Sequence, residues 1–124
     1  MNGRFLLDTN AVIALLNGNT TILHLLQSAT WVGISIITEL EFLAFSGLTS
    51  NDEALFKTFR NRVEVIDLQA TDSELLALII TIRKSGSHKM PDAIVAASAI
   101  QHGATLLTQD AGFSKVSNLL VHTF

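Results

Sequence analysis

The chain has 124 residues, 48% of them hydrophobic, with a formal charge of −3 and no cysteine. That length suits one compact domain, residues 1–124, burying roughly two-thirds of its unfolded surface, and the absence of thiols excludes disulfides and thiolate metal sites, so any metal must bind through oxygen or imidazole. Every apolar run stops well short of the roughly 18 residues of a membrane-spanning helix, and Asp8 follows Phe5-Leu6-Leu7 where an export signal needs its apolar core, so a cytoplasmic protein with no membrane partner is expected.

Arg4-Phe5-Leu6-Leu7 predicts a short buried strand, and Asp8-Thr9-Asn10 turns the chain into a helix over Ala11–Leu16 that Asn17-Gly18-Asn19 ends. Thr20 or Thr21 opens a second helix, whose Ile22, Leu23, Leu25 and Leu26 recur at helical spacing. A strand runs from Trp31 to about Ile37, and Thr38-Glu39-Leu40-Glu41 opens a helix that carries Phe42, Leu43 and Phe45 towards Gly47. Asn51 is the expected cap of a fourth helix, with Leu55, Phe56, Phe59 and Val63 on one side. Val63–Leu68 predicts a third strand, and Thr71-Asp72-Ser73-Glu74 has the capping-box spacing ahead of a long apolar helix through Ile82. That helix stops in Lys84-Ser85-Gly86-Ser87-His88-Lys89, and Pro91 suits the first turn of the next one, which Gly103 closes. Ala104–Thr108 predicts a fourth strand, Asp110–Lys115 a turn or short helix, and Leu119–His122 a last strand. Strands alternating with helices argue for an α/β fold with a mainly parallel sheet of four to five strands, in which ligands bind outside the carboxyl ends of the strands.

Four acids, Asp8, Glu41, Asp92 and Asp110, each follow an apolar stretch that should end at that edge. Taken singly, each is explained as a helix cap or a carboxylate in a first helical turn, with Thr38 and Glu41 forming a capping box. Taken together they imply a shared pocket, and several carboxylates in one pocket repel unless a cation joins them or protons are taken up. Glu39 rivals Glu41, but residues two apart on a helix differ by about 200° in direction, so both cannot enter one pocket. Setting the four aside leaves seven acids against eight Lys and Arg, a balance that permits RNA binding without requiring it.

The runs Leu6-Leu7-Asp8-Thr9-Asn10, Ser35-Ile36-Ile37-Thr38-Glu39-Leu40-Glu41, Pro91-Asp92-Ala93-Ile94-Val95-Ala96-Ala97 and Leu107-Thr108-Gln109-Asp110 occur in the order found in PIN-domain ribonucleases, and the chain resembles the VapC-type toxins of type II toxin–antitoxin modules from residue 4 to about 121. The resemblance implies a three-layer α/β/α sandwich. It also implies a metal-dependent endoribonuclease whose Mg²⁺ or Mn²⁺ is held by Asp8, Glu41, Asp92 and Asp110. A cognate antitoxin covering the cleft and a homodimer follow from the same resemblance, and a basic side chain of that partner inserted among the acids would be a physically reasonable inhibitor. The last motif departs from the family pattern: Gly112 stands before Phe113, where a second acid is common.

Hydrolysis of an RNA phosphodiester needs an activated water and relief of charge on phosphate oxygens, which an oxygen-ligated divalent ion supplies. Asp8 and Asp92 are the expected principal ligands, Glu41 and Asp110 contribute directly or through water, and Thr9, Asn10 and Thr108 support them, although Thr9 and Asn10 equally suit a simple turn. Lys84, His88 and Lys89 lead into Asp92 and could touch RNA phosphates, as could Lys57, Arg60 and Arg62; solvated surface is the blander explanation for both groups. Core packing accounts for most of Phe42, Phe45, Phe56 and Phe59, and His24, His102 and His122 have no ligand-like grouping. Two other functions compete: a catalytically silent PIN-like module that only binds a partner, and a phosphoreceiver using Asp67, which fits poorly because Asp110 stands where a receiver needs Lys.

Overall fold

In the computed structural model, which describes residues 3–86 and 88–124, Ser87 of the 84–89 segment falls outside the description. The elements run β1 (Arg4–Leu7), α1 (Thr9–Leu16), α2 (Thr20–Gln27), β2 (Trp31–Ser35), α3 (Ile36–Leu43), α4 (Ser50–Arg60), β3 (Glu64–Ile66), α5 (Ser73–Ser85), α6 (Met90–Gln101), β4 (Thr105–Leu107), a 3-10 turn (Ala111–Lys115) and β5 (Val121–His122). The strands lie in the order β3-β2-β1-β4-β5, and every pairing is parallel. β1 is central, with Phe5 opposite both Val32 and Thr105.

Successive side chains of a strand point to opposite faces, and that alternation builds two cores. Phe5, Leu7 and Leu107 pack with Ala11, Val12, Ile22, Phe42 and Phe56 on one face. Leu6 and Leu106 pack with Ile79, Ile82, Val95 and Phe113 on the other. The result is the expected three-layer α/β/α sandwich, with five strands. α6 is buried continuously from Ala93 to Ala99, so it is apolar all round instead of two-faced, and its alanines let neighbouring elements approach closely. Leu6 and Leu7 are fully buried, and truncating either to Ala removes about 2–5 kcal/mol of stability.

α1 starts at Thr9 instead of Ala11, and the starts of α3, α4 and α5 also differ from expectation, because the chain leaves the sheet or loop earlier or later than periodicity suggests. β2 ends at Ser35, whose Oγ accepts from Ile37 N at 3.1 Å and caps α3, so Thr38 lies inside the helix with its Oγ1 buried and unpartnered. The expected Thr38–Glu41 capping box is absent. α4 is capped by Thr49 in a reciprocal box with Asp52, not by Asn51, and α5 by Asp72 instead of Thr71, through a bond from Leu75 N. Phe42 and Phe56 stack in the core at 4.7 Å between ring centroids, whereas Phe45 is exposed.

Because all five strands are parallel, their carboxyl ends, Leu7, Ser35, Ile66, Leu107 and His122, form one edge. At the opposite edge Trp31 stacks on His102 and lies under the Arg4 guanidinium. Gly33 makes that possible: a Cβ there would sit 2.4 Å from the Trp31 ring and 3.1 Å from Glu64 O.

Candidate active site

Asp8 leaves β1 at the carboxyl edge and caps α1: its backbone N donates to Leu107 O at 3.0 Å, and its Oδ1 accepts from Thr9 N at 2.9 Å. The other oxygen, Oδ2, accepts from Thr108 Oγ1 at 2.9 Å. Thr108 is fully buried, and its Oγ1 also accepts from Asn10 Nδ2 at 3.3 Å and Asp110 N at 3.0 Å. A hydroxyl has two acceptor lone pairs and one proton; with both lone pairs engaged, the Thr108 proton goes to Asp8. Both Asp8 oxygens therefore accept hydrogen bonds, which suits the ionised carboxylate. Asn10 closes the loop by accepting from Gln109 N at 3.1 Å, so one amide ties the turn after β1 to the turn after β4.

The other three acids converge on this point to different degrees. Glu41 is exposed on α3 and accepts from Thr9 Oγ1 at 2.7 Å. Glu39 is ion-paired with Arg60 of α4 instead. That pair also removes Arg60 from the expected basic strip. Asp92 is the third residue of α6, and among the described residues no hydrogen bond reaches its carboxylate. Asp110 caps the 3-10 turn, its Oδ1 accepting from Gly112 N at 2.9 Å. A Cβ at Gly112 would lie 3.1 Å from that oxygen, so the glycine in place of an acid gives Asp110 its room.

Electrostatics links the four. Burial pushes the Asp8 carboxyl above its usual range; the Thr9 N–H and Thr108 hydroxyl oppose the shift, and the negative charges of Glu41 and Asp92 add to it. Burial likewise raises Asp92, helped by Asp110 and Glu41 and opposed by His88 and Lys89. The acids are near enough to repel, yet no group of three His, Asp or Glu among the described residues is arranged to hold a metal ion as it stands. Glu41 and Asp110 accept hydrogen bonds from Thr9 Oγ1 and from Gly112 N.

Two hollows flank the acids. An apolar one of about 280 Å³ lies beside Thr9 and Glu41 and is lined by Ile13, Leu16, Phe42, Phe45 and Leu55. A polar one, also about 280 Å³, is lined by His88, Lys89, Asp92, Asp110, Gly112 and Lys115. Lys115 carried no signal in the sequence, because only the 3-10 turn brings it round to Asp110. Lys84, exposed in the last turn of α5, is not among the lining residues of either hollow. Asp67 follows edge strand β3, two strands from β1, and its carboxylate accepts from Gln69 Nε2 at 2.8 Å, so it does not share the Asp8 pocket as a receiver requires.

No curated protein sequence matches the chain. Its fold is similar to a chain of VapBC2 from Rickettsia felis, solved bound to a DNA fragment from its promoter, with a TM-score of 0.81 at 22% identity over 97% of this chain and 98% of that one. It is similar to DNA-bound VapBC from Salmonella typhimurium, at 0.78 and 21% over 97% of both chains, and to VapBC-1 from Haemophilus influenzae, at 0.72 and 22% over 96% of both. In sequence, the family model described as PIN domain matches residues 5–119, and the protein therefore belongs to the PIN-domain family.

Proposed function

We propose that this protein is a metal-dependent endoribonuclease and the toxin of a type II toxin–antitoxin module. The observation that carries the reading is Asp8: a buried carboxylate held as a double acceptor at the carboxyl edge of the sheet, with Glu41 and Asp92 close enough to repel it. Such an arrangement is unfavourable by itself and is relieved by a cation. The donors are carboxylate oxygens with no thiolate, a set that suits Mg²⁺ or Mn²⁺.

In this reading Asp8 and Asp92 are the principal ligands, and Glu41 and Asp110 complete the site directly or through water. When bound, the ion supplies Lewis acidity towards phosphate oxygens and lowers the pKa of a water. The chain's own residues do the rest. Thr108, Asn10 and Thr9 fix the direction of Asp8, while Glu41 or Asp110, both exposed, accepts a proton from the attacking water and orients it. Lys89 meets the RNA phosphates.

An antitoxin is the second partner. VapBC pairs are among the proteins of similar fold, and the apolar hollow beside Glu41 has room for a partner's apolar side chains while a basic side chain reaches the acids. A homodimer and a cytoplasmic location belong to the same reading; no helix among the described residues is long and apolar enough to cross a membrane. The test uses purified protein free of antitoxin: it cuts RNA with Mg²⁺ or Mn²⁺, and stops with EDTA or in Asp8→Ala. Cutting that survives both changes sinks the metal mechanism.

One observation favours a second reading, a silent module that only binds its partner: the acids are not arranged as a ready ligand cluster. Calorimetry separates the two. Mn²⁺ binding that vanishes in Asp8→Ala supports the enzyme, and no binding at millimolar Mn²⁺ supports the silent module.

A further inference from the structure

The polar hollow between the start of α6 and the 3-10 turn mixes two acids with two lysines, yet it contains no ion pair: among the described residues the salt bridge is Arg60–Glu39, far along α3 and α4. Lysines present only to neutralise Asp92 and Asp110 would be expected to pair with them. Instead Lys89 and Lys115, both exposed, line the same hollow without a salt bridge among the described residues, and Lys89 acts on Asp92 only through its charge. His88 lies beside Lys89 and is half-buried. Phe113, the aromatic side chain of the lining, is 2% exposed and offers no face for a base to stack on. Point-charge donors without a stacking platform recognise backbone and leave bases unread.

We propose that this hollow is a subsite for single-stranded RNA, in which Lys89 and Lys115 straddle a backbone phosphate next to the bond being cut. The inference rests on the ribonuclease reading and adds to it where the strand runs: from the acids towards the 3-10 turn, away from the apolar hollow on the Glu41 side. It also makes Lys115 a binding residue and this stretch of the strand indifferent to base identity.

The test holds the full chain in EDTA, so that no strand is cut, and titrates it with a labelled single-stranded oligoribonucleotide over a range of salt. A lysine that neutralises one phosphate of a single strand contributes about 0.7 to the slope of log K against log salt, which amounts to about fivefold in affinity at about 0.1 M salt. Lys89→Ala and Lys115→Ala are each expected to lower the slope and the affinity by these amounts, equally for oligonucleotides of different sequence. Unfolding midpoints of both variants stay at the wild-type value. Wild-type slopes in the Lys89→Ala, Lys115→Ala double variant overturn the proposal. So does inorganic phosphate that binds with the same lysine dependence while the strand does not, since the hollow then holds only a free anion. Metal-dependent cutting by the wild type with unchanged variant slopes removes the subsite alone; a wild type that neither binds nor cuts RNA removes the ribonuclease reading with it.

Discussion

At the amino edge of the sheet, polar groups are matched in pairs. Trp31 Nε1 donates to Glu64 Oε2 at 2.6 Å, Arg4 Nε donates to His102 O at 2.8 Å, and the Arg4 guanidinium lies 4.7 Å above the Trp31 ring. At the carboxyl edge like charges are gathered instead: burial and neighbouring carboxylates raise both Asp8 and Asp92, and Asp92 lacks a hydrogen bond among the described residues. One edge contributes to stability; the other gives some up. Such uncompensated charge is the pattern of sites built to act on something else.

The contrast is sharpest for Asp8 and Asp92. Asp8→Asn and Asp92→Asn should each lower metal-dependent RNA cleavage by about 10³-fold, the worth of roughly 4 kcal/mol of charge stabilisation, and circular dichroism should show an intact fold. Near-wild-type cleavage by either would break the assignment. Trp31→Ala at the other edge should do the reverse, removing about 2 kcal/mol in denaturant unfolding because a half-buried indole is lost, with cleavage kept within about twofold.

Thr108→Val tests whether the hydroxyl positions Asp8. It deletes the bond to Asp8 and leaves Asn10 Nδ2 and Asp110 N without their acceptor. Calorimetric Mn²⁺ affinity should fall about 10- to 100-fold, as for other groups that orient a metal ligand; unchanged affinity would show that Asp8 needs no such help.

Stability should also depend on pH in a direction set by the carboxyl edge. The folded-state pKa values of Asp8 and Asp92 lie above the ordinary 3.8, so between that value and the raised ones the folded chain holds more protons than the unfolded chain. Their contribution to stability is therefore fully present below 3.8 and is lost as pH rises through the folded-state values. In EDTA, melting curves should show Asp8→Asn gaining on the wild type as pH rises, and added Mn²⁺ should restore the wild type at neutral pH. A wild type that gains on Asp8→Asn with rising pH would reverse the sign and refute the account. The smallest effect belongs to Glu39→Gln, which should cost no more than about 1 kcal/mol as a partly exposed ion pair and leave cleavage unchanged. Glu41→Gln at its neighbour should slow cleavage.

Much of this was legible in the residues. The strand-end positions of Asp8 and Asp110 follow from the apolar runs before them, because a parallel sheet brings all carboxyl ends together. The 200° argument excluded a shared role for Glu39 and Glu41, but the reason Glu39 is spoken for, Arg60, lies on another helix. Helix starts at Ser35, Thr49 and Asp72 were missed because capping residues cluster there, and the one that caps depends on where the chain turns. Asp92 sits where the Pro91 pattern places it, in the first turn of a helix.

Local pattern alone determined the alternation of strand and helix, the two-faced burial of β1 and β4, and the placing of the acids at element ends, since all of these depend on periodicity and on neighbours in the chain. Only the tertiary structure decided that the Thr108 hydroxyl donates to Asp8, that Asn10 ties two turns together, and that Lys115 lines the same hollow as Lys89. Those contacts join residues from different segments of the chain, and their geometry exists only once the sheet has closed and both cores have packed.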